Sequence, residues 1–169
     1  MKKLLAIIVS GALFLPLLSQ AQKKITVGNT GVSFYSPCQP VFDKAQSKDS
    51  STVYNGECQS GGITYGFILV KLLHRRADLR EAEKITADYL KYLNQSFNIT
   101  HAEGYKDGLR LNNDERTRGI HDQWADASQN KWLVNAWTNG AFIAVLYTYG
   151  INLPELPANR FLQSLRFPQ

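Results

Sequence analysis

Hydrophobic and polar positions change period twice along this chain. From Val32 to Ser36 apolar and polar residues alternate, and the pattern stops at Pro37, as a strand does. Gln39 to Ser51 is polar and reads mostly as loop, with a short strand near Thr52 to Asn55. After the turn signal Ser60-Gly61-Gly62, the run from Ile63 to Leu73 is rich in β-branched and aromatic residues and predicts a long strand. The period then lengthens. Asp78-Leu79-Arg80-Glu81 has the spacing of a helix start, with Asp78 as N-cap and Glu81 reaching back. Leu79, Ala82, Ile85, Thr86, Tyr89, Leu90, Leu93 and Phe97 recur on one face, while Arg80, Glu83, Lys84, Asp88 and Lys91 fall on the other. One amphipathic helix of about five turns is the expected result.

The short period returns beyond the helix. A strand is expected near Ile99 to Glu103, then a turn at Lys106-Asp107-Gly108 and a charged stretch from Asn112 to Arg118. Three strands follow in quick succession: Gly119 to Asp126, Lys131 to Thr138 and Ala141 to Tyr149. Asn139-Gly140 between the last two is a hairpin signal, because a type I′ turn needs positive φ at both central residues. That turn pairs Trp137 with Phe142, Asn135 with Ala144 and Leu133 with Leu146 on one face, which is mixed in character. Ala136, Val134 and Trp132 then share the other face with Ile143, Val145 and Tyr147, continuously apolar and therefore core. An even loop at Ala127 to Asn130 sets Asp126 opposite Lys131 and adds Ile120, Asp122 and Trp124 to the mixed face. After a proline-punctuated connection from Ile151 to Ala158, a short helix is expected in Asn159 to Phe167, with Phe161, Leu162 and Leu165 inward. Such a helix would cover part of the mixed face. The fold class is α+β, a single antiparallel sheet of about six or seven strands flanked by a long central helix and a short C-terminal helix.

The ends and the cysteines set the compartment. Met1-Lys2-Lys3, an apolar run from Leu4 to Leu18, and Ser19-Gln20-Ala21 make residues 1–21 a secretory signal peptide, leaving 22–169 as one mature domain. The apolar run is shorter than the roughly 20 residues a membrane helix needs, so no transmembrane anchor is expected after cleavage. Cleavage also removes Lys2 and Lys3 and lowers the formal charge from +5 to +3, which does not make a nucleic-acid footprint. Cys38 and Cys58 are the only cysteines, and in an exported chain an even count predicts a disulfide. The expected location is the periplasm or the extracellular medium.

The order of elements, the opening Val32-Ser33-Phe34-Tyr35-Ser36-Pro37, the meander through Asn139-Gly140 and the terminal Arg160-Phe161-Leu162-Gln163-Ser164-Leu165-Arg166-Phe167 resemble the PsbP-like fold superfamily over nearly all of the mature chain. That superfamily is an antiparallel sheet flanked by helices. It includes the photosystem extrinsic protein PsbP, a Ran-binding import factor and many small exported bacterial proteins. The resemblance implies an accessory or binding module and carries over no catalytic set. An NTF2-like cone is the rival fold, but it usually opens with helices, whereas here the long helix follows three strands.

No P-loop, GxSxG elbow, HExxH or EF-hand loop occurs, and neither a cofactor nor an enzymatic activity is expected. Three groups of residues carry possible chemistry. His101 and Glu103, one face of a strand, would hold a divalent metal if His121 met them; otherwise they are surface polar groups. Lys71, His74, Arg75, Arg76 and Arg80 form a basic cluster suited to phosphates or carboxylates, diluted by Asp78, Glu81 and Glu83. On the mixed face, Trp124, Trp137, Asp122 and Asn135, with Phe142, offer large apolar area plus a few polar groups, the composition of a ligand pocket or of ordinary core. Asn94-Gln95-Ser96 and Asn98-Ile99-Thr100 match the N-glycosylation pattern. The expected function is an exported, non-enzymatic binding or accessory protein of the cell envelope, meeting an envelope protein. The alternative is a periplasmic protein that binds a small ligand or metal.

Overall fold

A computed structural model describes residues 22–168; the expected signal peptide, residues 1–21, lies outside the described residues. The chain runs β1 (Lys23–Thr26), β2 (Ser33–Ser36), β3 (Val41–Gln46), β4 (Thr52–Ser60), β5 (Ile63–Lys71), α1 (Leu79–Ser96), β6 (Ile99–Leu109), a 3₁₀ turn (Leu111–Asn113), β7 (Arg118–Asp126), β8 (Lys131–Thr138), β9 (Phe142–Gly150) and α2 (Glu155–Leu162). Seven strands form an antiparallel sheet in the order β3-β4-β5-β9-β8-β7-β6, and β1 pairs with β2 in a separate ribbon. The α+β class and the two flanking helices are as the patterning predicts.

The central strands are buried on both faces. Ile68, Val70, Ile120, Val134, Ala136, Val145 and Tyr147 meet α1 through Leu90 and Leu93. Phe67, Leu69, Trp137, Ala144 and Leu146 meet the ribbon and α2 through Ile25, Phe34, Phe161, Leu162 and Leu165. Phe34 stacks on Phe67 at 4.3 Å between centroids, and the edge of Phe161 meets both Phe34 and Tyr65. The sheet is thus the middle of three layers. Asp78 caps α1 as expected, its Oδ1 accepting from Arg80 N–H at 2.8 Å, while Glu81 pairs with Arg76 at 3.5 Å instead of reaching back.

Several boundaries differ from the sequence expectation. Val41–Gln46, expected as loop, is an edge strand whose side chains are almost all exposed, so no alternation of burial marks it. β6 continues through the expected Lys106-Asp107-Gly108 turn, absorbing it as irregularities in its pairing with β7. α2 begins earlier than expected, with Pro157 in the first turn, where a missing N–H costs nothing.

Both turns of the meander differ in register. Thr138 pairs with Ile143, so the loop is Asn139 to Phe142 rather than two residues. Gly140 has positive φ but Asn139 does not; instead the Asn139 Oδ1 accepts the N–H groups of Ala141 and Phe142 and closes an Asx-type turn. This moves the pairing by two residues and leaves the faces unchanged. The β7–β8 loop moves it by one. Ala125, not Asp126, opposes Lys131, because the Asp126 carboxylate accepts from Ser128 N–H, Asn130 N–H, Asn130 Nδ2 and Trp132 Nε1 at 2.9–3.0 Å and holds the longer turn. Ile120, Asp122 and Trp124 therefore lie beneath α1, and Gly119, His121 and Gln123 take the mixed face.

Burial opposes ionisation of Asp126, yet the hydrogen bonds from Asn130, Trp132 and Ser128 outweigh it and hold the carboxyl below its ordinary value. A depressed folded pKa stabilises above the unfolded value of about 3.9, and that contribution is lost as pH falls through the folded pKa. Asp126→Asn should cost about 1 kcal/mol at pH 7, the residue being partly solvated. In paired urea melts, the gap from wild type should close as the pH drops below about 4. A gap that stays constant to pH 2 would contradict this account.

Candidate functional site

Two glycines let aromatic rings cross the sheet. Gly66 on β5 lies between Glu57 on β4 and Tyr147 on β9, and Tyr147 Oη donates to Glu57 Oε1 at 2.7 Å across it. Burial, then the neighbouring Glu57, pushes the phenol far above its ordinary pKa. Gly119 on β7 stands opposite Trp137 on β8 in the same way, with the Cε3–Cζ3 edge of the indole over the glycine. The opposite edge of that ring carries Nε1.

Trp137 lies at the margin of the covered region. The ribbon and α2 seat on the β5, β9 and β8 side of this face, and where that cover stops a cavity of about 450 Å³ opens toward β6. Its floor includes His121, Asn135 and Trp137; its walls include Lys106 and the 3₁₀ turn, with Asn159 of α2 and Gln163 at its C-cap. His121 Nδ1 and Asn135 Oδ1 are 2.8 Å apart, and with Nδ1 protonated the histidine donates. Asn135 is 7% exposed and Trp137 6%. Asn135 Nδ2 and the side-chain amides of Asn112, Asn113, Asn159 and Gln163 have no partner among the described residues.

The three tryptophans differ in one respect. Trp124 Nε1 donates to Asp122 Oδ2 at 2.6 Å, and Trp132 Nε1 donates to Asp126 Oδ2 at 3.0 Å. Trp137 Nε1 is buried and has no acceptor among the described residues. An unpaired buried donor costs free energy that a ligand's oxygen would recover. The lining offers a histidine, amides, two cations and the Trp137 ring, whose Nε1 is itself screened from solvent, but no carboxylate, hydroxyl or thiol. Such a set can hold a polar ligand by many hydrogen bonds; it contains no paired nucleophile and base.

The sequence-selected residues are distributed as follows. Trp137 and Asn135 share the cavity, with Phe142 further along the same face. Trp124 and Asp122 do not join them: they lie on the opposite face, where Asp122 also accepts from Gln123 N–H at 2.9 Å. The expected metal triad is not assembled. His101 and Glu103 form an exposed pair 3.5 Å apart on β6, while His121 lies opposite Lys106 and bonds Asn135. Among the described residues no group of three His, Cys, Asp or Glu is placed to hold a metal ion. Arg75 and Arg76 line a cavity of about 450 Å³ with Arg116, and Arg75 and Arg116 line another of about 790 Å³ with Arg166. Lys106, Asn112, Asn113, Arg116, Asn159, Arg166 and Gln163 escaped the sequence reading. The one local signal was the doublet Asn112-Asn113, whose residues both take positive φ, a conformation asparagine tolerates better than most.

Cys38 and Cys58 form the expected disulfide, with Cα atoms 5.8 Å apart. No helix among the described residues is long and apolar enough to cross a membrane. No known family model and no curated protein matches this chain.

Proposed function

We propose that this chain is an exported, non-enzymatic binding protein of the cell envelope, and that what it recognises is a small polar group seated in the cavity over β7 and β8. The observation that carries this reading is the buried Trp137 Nε1–H without an acceptor, in a chain whose two other indoles each bond an aspartate. His121 and Asn135 add a pre-oriented polar pair beside it. The disulfide is the independent support for export.

The indole N–H resonances make the test direct. In a ¹⁵N–¹H spectrum, Trp137→Phe assigns one of the three. Titration with neutral and acidic saccharides, rich in hydroxyl acceptors, should shift that resonance and leave Trp124 and Trp132 nearly still. A Trp137 resonance unmoved by every member at millimolar concentration would sink the reading.

A further inference from the structure

The arginine-lined cavity adjoins the first one, since Leu111 and Asn112 line both. Its cations come from three distant segments: Arg75 after β5, Arg116 before β7, and Arg166 near the C-terminal end. Among the described residues the only carboxylate lining either cavity is Asp114, already held by Arg116 through Nε to Oδ1 at 3.0 Å and Nη2 to Oδ2 at 2.9 Å. Arg75 makes no hydrogen bond or ion pair with any described residue. Arg166 donates from Nη1 to the carbonyls of Gln163 and Leu165, which leaves Nε and Nη2 without partners. In the first cavity Arg110 pairs with Glu115 at 3.1 Å, whereas Lys106 has no ion partner. Among the described residues, three positive charges, those of Lys106, Arg75 and Arg166, thus have no anionic partner around two cavities that share Leu111 and Asn112.

The seam between the cavities is the Asn112-Asn113 turn, where two successive non-glycine residues are held at φ of 51° and 62°. Left-handed backbone of this kind is costly and clusters at ligand clamps. The two parts have different chemistry. One presents amides and a histidine beside the Trp137 ring, suited to hydroxyls and ring oxygens; the other presents guanidinium groups, suited to carboxylate or phosphate.

We propose that the ligand is an acidic saccharide, its hydroxyls in the cavity of Trp137, Asn135 and His121 and its carboxylate or phosphate on Arg75 and Arg166. This rests on the cavity reading above and specifies the ligand's charge. A hexuronate and a hexose phosphate share the chemistry. Comparing them identifies which acidic group the arginines prefer.

The experiment titrates the mature chain with glucuronate, glucose 6-phosphate, glucose and inorganic phosphate, following the Trp137 indole resonance and the heat of binding. At least one of the two acidic sugars should bind tenfold or more tightly than glucose. Arg75→Ala/Arg166→Ala should weaken that acidic sugar about tenfold or more while leaving glucose unchanged, since hydrogen bonds to charged groups are among the stronger ones. Because Arg166 closes a main-chain bridge to Ser33, Arg75→Ala alone is the control for folding and should lose part of the affinity. Glucose binding as tightly as either acid, or an unchanged affinity in both arginine variants, would overturn the acidic assignment and leave the cavity reading standing. Phosphate binding as tightly as glucose 6-phosphate, without moving Trp137, would overturn the saccharide part. Silence from all four probes would overturn both.

Discussion

Removing the disulfide, by Cys38→Ser/Cys58→Ser, is expected to lower stability by about 3 kcal/mol, the loop-closure value for about 20 residues. The bond does more than close that loop. Cys38 follows β2 and Cys58 lies on β4, so the bridge ties the β1–β2 ribbon to the main sheet. The ribbon in turn seats Ile25, Val27, Val32 and Phe34, which are at most 4% exposed. The melting temperature should drop by at least several degrees for a domain of this size, and amide exchange should accelerate first in Lys23–Ser36. Uniform acceleration across all strands would show that the ribbon is held by packing alone. An unchanged melt would show that the bridge contributes nothing.

Gly66→Ala is expected to be as damaging, at about 3 kcal/mol, the upper end of overpacking effects. A Cβ at this position would collide with Cε2 and Cζ of Tyr147. The ring cannot yield cheaply. It is 4% exposed, its hydroxyl is committed to Glu57, and it packs against Phe97 and Trp132. Urea unfolding of Gly66→Ala, Tyr147→Ala and the double variant should show strong coupling. Once the ring is gone, the added methyl should cost little. Simple additivity of the two single effects would refute the steric account.

These glycines explain part of what the sequence disclosed and part of what it hid. Hydrophobic period was enough to find α1, the three meander strands and the second covering helix, because each buries a continuous stripe. The edge strand β3 left no such trace, since its side chains are nearly all exposed. The site was half legible. Trp137 and Asn135 stood out by type, but whether Trp124 and Asp122 share their face depends on one residue of loop length, and that was decided by the Asp126 side chain binding its own turn. The parity of a turn reverses every residue of a strand. The arginine cleft had still less local signal, because Arg75, Arg116 and Arg166 meet only in the folded chain.

The main chain of Arg166 pairs with that of Ser33 through two hydrogen bonds of 2.7 and 3.0 Å, and Ser164 Oγ bonds Tyr35 N–H and O. The β1–β2 ribbon is therefore completed by a segment far along the chain, Ser164 meeting Tyr35 across a separation of 129 residues. A nascent chain that stops before α2 lacks the bridge to Ser33 on the far side of β2 from β1, and the Phe161 ring over Phe34. Closure of this layer therefore waits until the Ser164–Arg166 segment is available to the ribbon.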